Sequence, residues 1–313
     1  MLDCLTAHGV SIPSSCHAGI CQTCLMQAIS GNIPATAQPG LKNTLVAQNY
    51  FLACSFHPQE DVQIRLPMTG LGKLSATVAE IDFLNTQIVR LKLALNTKFN
   101  YKAGQFINLF KDNATSRAYS LASVPGIDDQ LQFHIRKLPD GLVSHWVHHD
   151  LKVGDNVDIS DASGDCFYVP DMPDQKLLLI ATGTGLAPLY GIVRDALFQG
   201  HSGTIKLYHG SNSPDLVYLS EELKSLALQF DHFNYTPCIS GKTVPQGFAA
   251  GRAQEVAFKE NQDLSGWRVF LCGHPKMVST GKKLAFLAGA STGNIYADPF
   301  VLVPRSASKT ISA

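Results

Sequence analysis

Four cysteines of this chain have a spacing that suits a metal or a metal cluster. Cys16, Cys21 and Cys24 form a C-x4-C-x2-C pattern, and Cys54 follows at a longer interval. Thiolate ligands favour zinc or an iron–sulfur cluster, and four thiolates complete either kind of site. Because zinc sites usually have a C-x2-C pair at each end, the spacing fits a [2Fe-2S] cluster better. The pattern therefore predicts a [2Fe-2S] centre, and a Cys4 zinc site is the alternative.

A second group of residues could bind a phosphate and a flat ring system. Arg117-Ala-Tyr-Ser120 is predicted to lie on a strand, where Arg117 and Tyr119 share one face. An arginine offers a rigid fork of donors to a phosphate, the tyrosine can pack on a ring, and Ser120 can bond a ring nitrogen. Gly141 and Ser144 follow at a predicted helix start, where free N–H groups suit a pyrophosphate. Without this context, an exposed arginine beside a half-buried tyrosine is the more ordinary interpretation.

A glycine-rich loop could hold a second phosphate group. Ala181–Pro188 joins a predicted strand to a predicted helix that begins at Pro188. Its glycines allow a tight turn and a close approach to a phosphate at the helix N-terminus, although the third glycine of the usual dinucleotide fingerprint is missing. The candidate nucleotide-binding residues here are Thr182, Gly183, Thr184, Gly185, Ala187 and Pro188, with Ser211 after the next strand.

Two segments near the C-terminus complete the candidate chemistry. Phe270–Met277 contains Cys272, Gly273 and Pro275, and Ile295–Phe300 contains Asp298 and Phe300. Taken singly, Cys272 is better interpreted as a small buried residue at a strand end, and Phe300 could equally be a core residue.

The whole-chain composition limits the classes of protein to consider. The chain has 313 residues, a length that predicts two domains and allows three small ones. The formal net charge is zero, which argues against nucleic acid and against an anionic membrane surface as partners. The sequence shows no apolar run long enough to span a membrane and no secretory signal at its start, so the cytoplasm is the expected location.

The predicted elements divide the chain into three parts and a tail. Residues 1–67 are loop-rich and contain the cysteine cluster, and residues 73–171 read as six short strands of a small antiparallel barrel with a helix near Ser144–Asp150. Residues 172–303 alternate strands and helices, which is typical of a parallel sheet. Residues 304–313 form a polar tail.

The motifs resemble those of a known group of electron-transfer enzymes. Ser15–Cys24 and Ala53-Cys54 resemble the plant-type ferredoxin module of NADH-dependent oxygenase reductases. The R-x-Y-S and G-x-x-S elements, the G-T-G-x-A-P loop and the C-G-x-P-x-M segment resemble the ferredoxin–NADP reductase-like family. The resemblance departs at Gln22, where the group usually has glycine, and at Leu2–Gly9, because the chain starts inside the module and lacks the hairpin that normally comes first.

The resemblance implies a multidomain α+β and α/β fold. Its parts are a truncated β-grasp ferredoxin domain, a six-stranded antiparallel β-barrel FAD domain and a parallel-sheet α/β nicotinamide domain. It implies that Arg117 holds a phosphate of FAD, Tyr119 packs on the isoalloxazine and Ser120 faces flavin N5. It places Cys272 beside the nicotinamide, Asp298 near N5 and Phe300 over the flavin, so Ser120, Cys272, Asp298 and Phe300 are the catalytic candidates. The strand residues His134, Ile135 and Arg136 are expected to line the flavin.

The expected function is electron transfer from NADH through FAD and a [2Fe-2S] cluster to a partner protein, an oxygenase component. NADH is favoured over NADPH because His209–Asp215 contains no Arg or Lys, although Lys242 could supply a cation. Two alternatives are an NADH–flavin or ferric reductase with a vestigial cluster domain, and a zinc-binding module on an inactive flavin fold.

Overall fold

The computed structural model describes residues 1–10, 12–14, 16, 18–19, 21–66 and 73–301. These residues form three sheets, one in each predicted part of the chain. The predicted tail at 304–313 lies outside the described residues. No helix of the described part is long and apolar enough to cross a bilayer.

The N-terminal part is a small antiparallel sheet with short helices around it. Its strands pair in the order β2-β1-β3. Alternate residues of β1 are buried, and Met26 packs with Phe51 and Phe56 in a compact apolar core. The elements are α1 (Leu2–Ala7), β1 (Leu25–Ser30), α2 (Asn43–Val46), β2 (Tyr50–Leu52) and β3 (Gln63–Arg65).

The middle part is the predicted six-stranded antiparallel barrel. Its strands pair in the order β7-β6-β9-β4-β5-β8, and a bridge between Leu121 and Phe133 brings the two end strands together. Alternate side chains of β5 and β6 fill the interior. The elements are β4 (Leu74–Phe83), β5 (Ile88–Ala94), β6 (Phe106–Phe110), β7 (Ser116–Ser120), β8 (Leu131–Arg136), α3 (Leu142–His149) and β9 (Asn156–Ile159).

The C-terminal part is a parallel sheet with the order β13-β12-β11-β10-β14-β15. The chain order reverses at β10, which lies between β11 and β14, and ligands of such sheets bind at this point, beyond the carboxyl ends of the strands. The elements are β10 (Leu177–Thr182), α4 (Leu186–Phe198), β11 (Ile205–Ser211), α5 (Ser220–Gln229), β12 (Phe233–Ile239), β13 (Ala249–Ala250), α6 (Ala253–Glu260), β14 (Arg268–Gly273), α7 (Pro275–Leu287) and β15 (Ile295–Pro299).

Two predicted helix starts are wrong by two residues. The helix predicted from Pro188 begins two residues earlier, at Leu186. Proline is tolerated within the first turn because the N–H groups there have no partner inside the helix, so the missing N–H of Pro188 costs no hydrogen bond. The helix predicted near Ser144–Asp150 begins at Leu142, directly after Gly141.

Candidate functional site

A cleft of about 1600 Å³ lies between the barrel and the carboxyl ends of the parallel strands. It is larger than the roughly 300–1,000 Å³ typical of a pocket for one small molecule, so it has room for more than one ligand. The cleft brings together most of the predicted site residues, which are Arg117, Tyr119, Ser120, His134, Arg136, Gly141, Ser144, Thr182, Gly183, Thr184, Ala187, Ser211, Gly273, Pro275, Asp298 and Phe300.

Strand β7 presents the predicted flavin residues to one wall of the cleft. Arg117 is exposed, and its Nη1 donates to the carbonyl of Ser116 at 2.7 Å. No carboxylate of the described residues forms an ion pair with Arg117, so the guanidinium is available to an anion. Tyr119 is half-buried, and burial raises the pKa of its hydroxyl, which keeps it neutral. A charged fork next to a neutral ring fits a phosphate joined to a flat heterocycle.

The start of α3 forms a second anion-binding surface in the same cleft. The Ser144 hydroxyl donates to the carbonyl of Gly141 at 3.2 Å and accepts from the backbone N–H of Leu138 at 3.2 Å. A Cβ at Gly141 would overlap the Ser144 hydroxyl, so only glycine leaves this turn its shape. The free N–H groups of the first helical turn then face the cleft, as a pyrophosphate requires.

A hydrogen bond joins the barrel to the last strand of the parallel sheet. The Ser120 hydroxyl donates to Asp298 Oδ2 at 2.9 Å. Burial raises the pKa of the Asp298 carboxyl, and the neighbouring Asp165 raises it further. Ser120 and Asp298 therefore lie together at the junction of the two domains, where the resemblance places the flavin N5.

The glycine-rich loop is shaped by two glycines with positive φ. Gly183 has a φ of +54° with open space around its missing Cβ, and Gly273 has a φ of +121°. A Cβ at Gly273 would lie 2.5 Å from the carbonyl oxygen of Thr182, so the ends of β10 and β14 approach closely only because this residue is glycine. The backbone N–H of His274 donates to the Thr182 hydroxyl at 2.9 Å and fixes the same junction.

Four predicted ligand residues do not line the cleft. Cys272 is fully buried, with its Sγ 3.7 Å from the Sγ of Cys166, and burial keeps its thiol pKa well above the usual value. Ile135 alternates with its cleft-lining neighbours His134 and Arg136, and therefore points into the barrel core. Gly185 packs against the backbone of Cys272, and Pro188 is buried in α4. These four residues thus belong to the packed structure around the cleft and do not line it.

A buried polar chain behind the glycine-rich loop was not predicted. His209 on β11 bonds through Nε2 to the carbonyl of Gly183 at 3.2 Å, and its ring meets the edge of Tyr218. Tyr218 in turn contacts His134 Nδ1 at 3.2 Å. Burial lowers the pKa of His134 to about 3 and that of His209 to about 4, so both rings are neutral. Nothing in the spacing of these residues indicated that they meet.

A charged pair in the part of the cleft near Ser211 was also not predicted from the sequence. Arg252, just before α6, and Glu255 both line the cleft together with Ser211. Their charged groups lie 3.5 Å apart on the exposed rim. The signal in the sequence was weak, because the preceding strand β13 has only two residues.

The four cluster cysteines lie in the N-terminal domain. Cys24 Sγ and Cys54 Sγ are 3.4 Å apart, and Cys16 Sγ accepts from the backbone N–H groups of Ala18 and Cys21. No three His, Cys, Asp or Glu side chains of the described residues converge on a single metal-binding point.

The surroundings of Cys21 and Cys54 favour the thiolate form, whereas burial raises the pKa of Cys24. Hydrogen bonds from Thr23, with those of Cys16, lower the pKa of Cys21 to about 6. Burial raises the pKa of Cys54, but hydrogen bonds from Ser55 and Cys24 outweigh it and lower the pKa overall. Backbone and hydroxyl donors that stabilise thiolates fit an iron–sulfur cluster, whose sulfur atoms accept such bonds.

Comparison with protein-family models identifies the class of each domain. Residues 1–59 match a 2Fe-2S iron-sulfur cluster binding domain, residues 75–168 an oxidoreductase FAD-binding domain, and residues 179–283 an oxidoreductase NAD-binding domain. The three matches follow one another along the chain as predicted, so this is a flavoprotein iron–sulfur oxidoreductase that acts on NAD(P)H.

Curated relatives and solved structures place it more narrowly. The chain is 31% identical over 306 residues to the ferredoxin–NAD(P)+ reductase component of a Pseudomonas putida naphthalene 1,2-dioxygenase system, covering 96% of this chain and 93% of the relative. It is 31% identical to the reductase subunit of an Amycolatopsis aromatic O-demethylase, covering 90% and 88%. The crystal structure of an Amycolatopsis cytochrome P450 reductase superposes with a TM-score of 0.71 at 30% identity, covering 95% of this chain and 92% of that one. The protein belongs to the family of reductase components that fuse a 2Fe-2S ferredoxin to a ferredoxin–NADP reductase-like module.

Proposed function

We propose that this protein is the reductase component of an oxygenase system, and that it takes electrons from NADH and passes them to an oxygenase partner. The observation that carries the proposal is the single cleft, in which the predicted flavin residues, the glycine-rich loop and the Asp298–Phe300 segment meet. FAD and a [2Fe-2S] cluster, when bound, supply the conversion of a hydride into single electrons.

The residues of the cleft have separate tasks in this proposal. Arg117 and the first turn of α3 would hold the phosphates of FAD, and Tyr119 would pack on its ring. The turn at Gly183 and the junction at Gly273 would hold the pyridine nucleotide. Ser120 and Asp298 would orient the part of the flavin ring around N5. The ring of Phe300 would cover the flavin until the nicotinamide takes its place.

The backbone of Phe300 is bonded to the end of β14. Its N–H donates to the carbonyl of Gly273 at 2.8 Å, while the side chain lines the cleft. Because this hydrogen bond is made by the backbone, rotation of the ring about its side-chain bonds would leave it intact. No side chain is needed as a nucleophile, because this site positions its ligands and shields them from water.

We further propose that NADH is preferred to NADPH. Ser211 and Asn212, which line the cleft at the end of β11, carry no positive charge, and Lys242 does not line it. Arg252 does, but Glu255 pairs with it at 3.5 Å. A carboxylate at this place favours a ribose hydroxyl and opposes a 2′-phosphate.

Steady-state kinetics with both nucleotides test this preference. We expect a higher kcat/KM for NADH, and we expect Glu255→Gln to narrow the difference by freeing Arg252. Lys242→Gln, a charge change outside the cleft lining, serves as the control. A wild-type preference for NADPH would overturn the proposal.

Single-residue variants test the electron path to a protein acceptor. Cys54→Ser should abolish reduction of an added one-electron acceptor protein such as cytochrome c, while Cys4→Ser, outside the ligand pattern, should leave it intact. Equal activity of wild type and Cys54→Ser would favour a plain NADH–flavin or ferric reductase instead.

A further inference from the structure

The ferredoxin domain is attached to the rest of the molecule by a set of polar contacts centred on Asn43. The Asn43 amide donates through Nδ2 to Asp171 Oδ2 at 2.8 Å, and the Tyr296 hydroxyl donates to Asn43 Oδ1. Both hydrogen-bonding ends of one side chain thus engage the other two domains. A primary amide is the smallest side chain that offers a donor and an acceptor in one plane.

The partners of Asn43 are themselves held rigidly. Arg268 is 2% exposed, and its guanidinium donates to Asp171 Oδ1 at 2.8 Å and to the carbonyl of Val169 at 2.9 Å. Tyr296 is fully buried, and its ring stacks on Phe270 at 5.0 Å between centroids. Asn43 therefore forms hydrogen bonds with two side chains that other contacts already hold in place.

Neighbouring contacts extend the same interface. Lys42 Nζ lies 3.3 Å from Asp165 Oδ2 and 5.0 Å from the centre of the Tyr296 ring. Gln48 accepts from the buried Gln105 at 2.9 Å and donates to the carbonyl of Gly164 at 3.3 Å. These contacts join residues 42–48 of the ferredoxin domain to the chain at 164–171 and to Gln105 and Tyr296. A separate exposed ion pair, Arg65 with Asp161 at 3.8 Å, lies at β3.

Strand β15 connects this interface to the cleft. Tyr296, which bonds Asn43, stands two residues before Asp298, which bonds Ser120 at 2.9 Å. Residues two apart on a strand point to the same side. Phe106, next to Gln105, also lines the cleft. The groups that fix the ferredoxin domain are therefore directly joined to those that line the predicted flavin site.

We infer that Asn43 is a positioning residue for electron transfer, and that it sets the orientation of the ferredoxin domain against the flavin site by bonding Tyr296 and Asp171 together. The inference rests on the proposed function, because it assumes that electrons leave the cleft through this domain. Asn43 does not line the cleft, and its side-chain hydrogen bonds within the described residues go to Asp171 and Tyr296, not to a cluster cysteine. Hydride uptake should therefore not depend on it.

Asn43→Asp is the sharpest test, because it removes the donor and sets a carboxylate against Asp171. Asn113→Asp, on an exposed barrel amide that accepts from Lys73, is the matched control. Tyr296→Phe is the second variant, since it removes only the hydroxyl donor and keeps the ring against Phe270. If an Asn43 variant fails to fold, Tyr296→Phe still tests the inference.

Two measurements on the purified holoprotein are combined. Hydrogen–deuterium exchange should rise at residues 42–48 and 164–171 in Asn43→Asp and Tyr296→Phe, and not in Asn113→Asp. Rapid mixing with NADH should show flavin reduction within about twofold of wild type, followed by cluster reduction at least about tenfold slower, since small displacements of reacting groups cost large factors in rate.

Three outcomes overturn the inference: unchanged exchange, raised exchange with an unchanged rate of cluster reduction, or an equal loss in both kinetic phases, which would indicate general structural damage. If the wild-type protein itself shows no cluster reduction, the proposed function fails instead, and the two failures are thereby distinguished.

Discussion

At the residue scale, the structure separates groups that face the cleft from groups that only support it. Arg117 and Asp298 were identified from their motifs, and both line the cleft. Cys272 was chosen from an equally specific motif, yet its side chain is buried against Cys166. The difference is the direction of a side chain at a strand end, which a single sequence does not reveal when the strand is buried on both faces.

Arg117→Ala should weaken FAD binding. The guanidinium forms no ion pair with a described carboxylate, so its loss removes a charged hydrogen bond to the phosphate, worth about 1.5–3 kcal/mol. This corresponds to a roughly ten- to hundredfold higher dissociation constant for FAD. Titration of the apoprotein with FAD, followed by flavin fluorescence, measures it.

Arg65→Ala removes an exposed arginine of β3 that lies outside the cleft, and it serves as the control. An unchanged FAD affinity in Arg117→Ala would show that the phosphate lies elsewhere.

Buried histidines should make the protein less stable in mild acid. Burial lowers the pKa of His134 to about 3 and those of His201 and His209 to about 4, from an ordinary value of 6.5. Between pH 6.5 and 4 these histidines therefore bind protons in the unfolded chain but stay neutral in the folded chain. The free energy of unfolding should be highest above pH 6.5 and should fall as the pH drops, by up to about 1.4 kcal/mol per pH unit for each histidine.

Urea unfolding across this pH range measures the slope. His201→Gln should reduce the slope by about one proton, whereas His57→Gln, at an exposed position, should not. A free energy of unfolding that stays level from pH 6.5 to 5 would contradict the assignment of neutral buried rings.

At the element scale, regular patterns were predictable and irregular ones were not. The six barrel strands and the alternation from β10 onward follow from apolar periodicity and turn residues. Strand β13 has two residues, and α6 begins without a side-chain cap, so neither gave a signal. The missed Arg252 and Glu255 lie at this unpredicted junction. The buried chain from His134 to Gly183 depends on contacts between distant elements, which no local pattern encodes.

Gly273→Ala should damage the junction of β10 and β14. The residue has a φ of +121°, and a Cβ would lie 2.5 Å from the Thr182 carbonyl oxygen. Because backbone atoms cannot move aside cheaply, we expect a loss of about 1–3 kcal/mol in the free energy of unfolding, together with a higher KM for NADH.

Gly200→Ala is the matched control, because its φ is +76° with no atom within 4 Å of the added Cβ. It should cost less in stability and leave the KM unchanged. Equal effects of the two substitutions would show that the close approach at Gly273 does not matter.

At the scale of the whole molecule, each of the three domains contacts the other two. The barrel and the parallel sheet form the cleft, and the ferredoxin domain contacts both of them through residues 42–48 and the barrel also through Arg65. The order of the domains was predictable from their motifs, since each motif identifies its own fold. How they pack was not, because the interface consists of single polar residues such as Asn43 and Gln48 that carry no pattern.

The central claim is that one chain accepts a hydride from NADH at a flavin and passes single electrons from it to a cluster. Anaerobic titration of the purified protein with NADH, followed by its visible absorption and by iron and acid-labile sulfide analysis, tests it directly. One FAD and one [2Fe-2S] cluster take up three electrons, so both absorptions should bleach with an end point of about 1.5 NADH per chain. An end point near one NADH in a yellow protein without iron or sulfide would contradict the claim, and so would a colourless, zinc-containing protein.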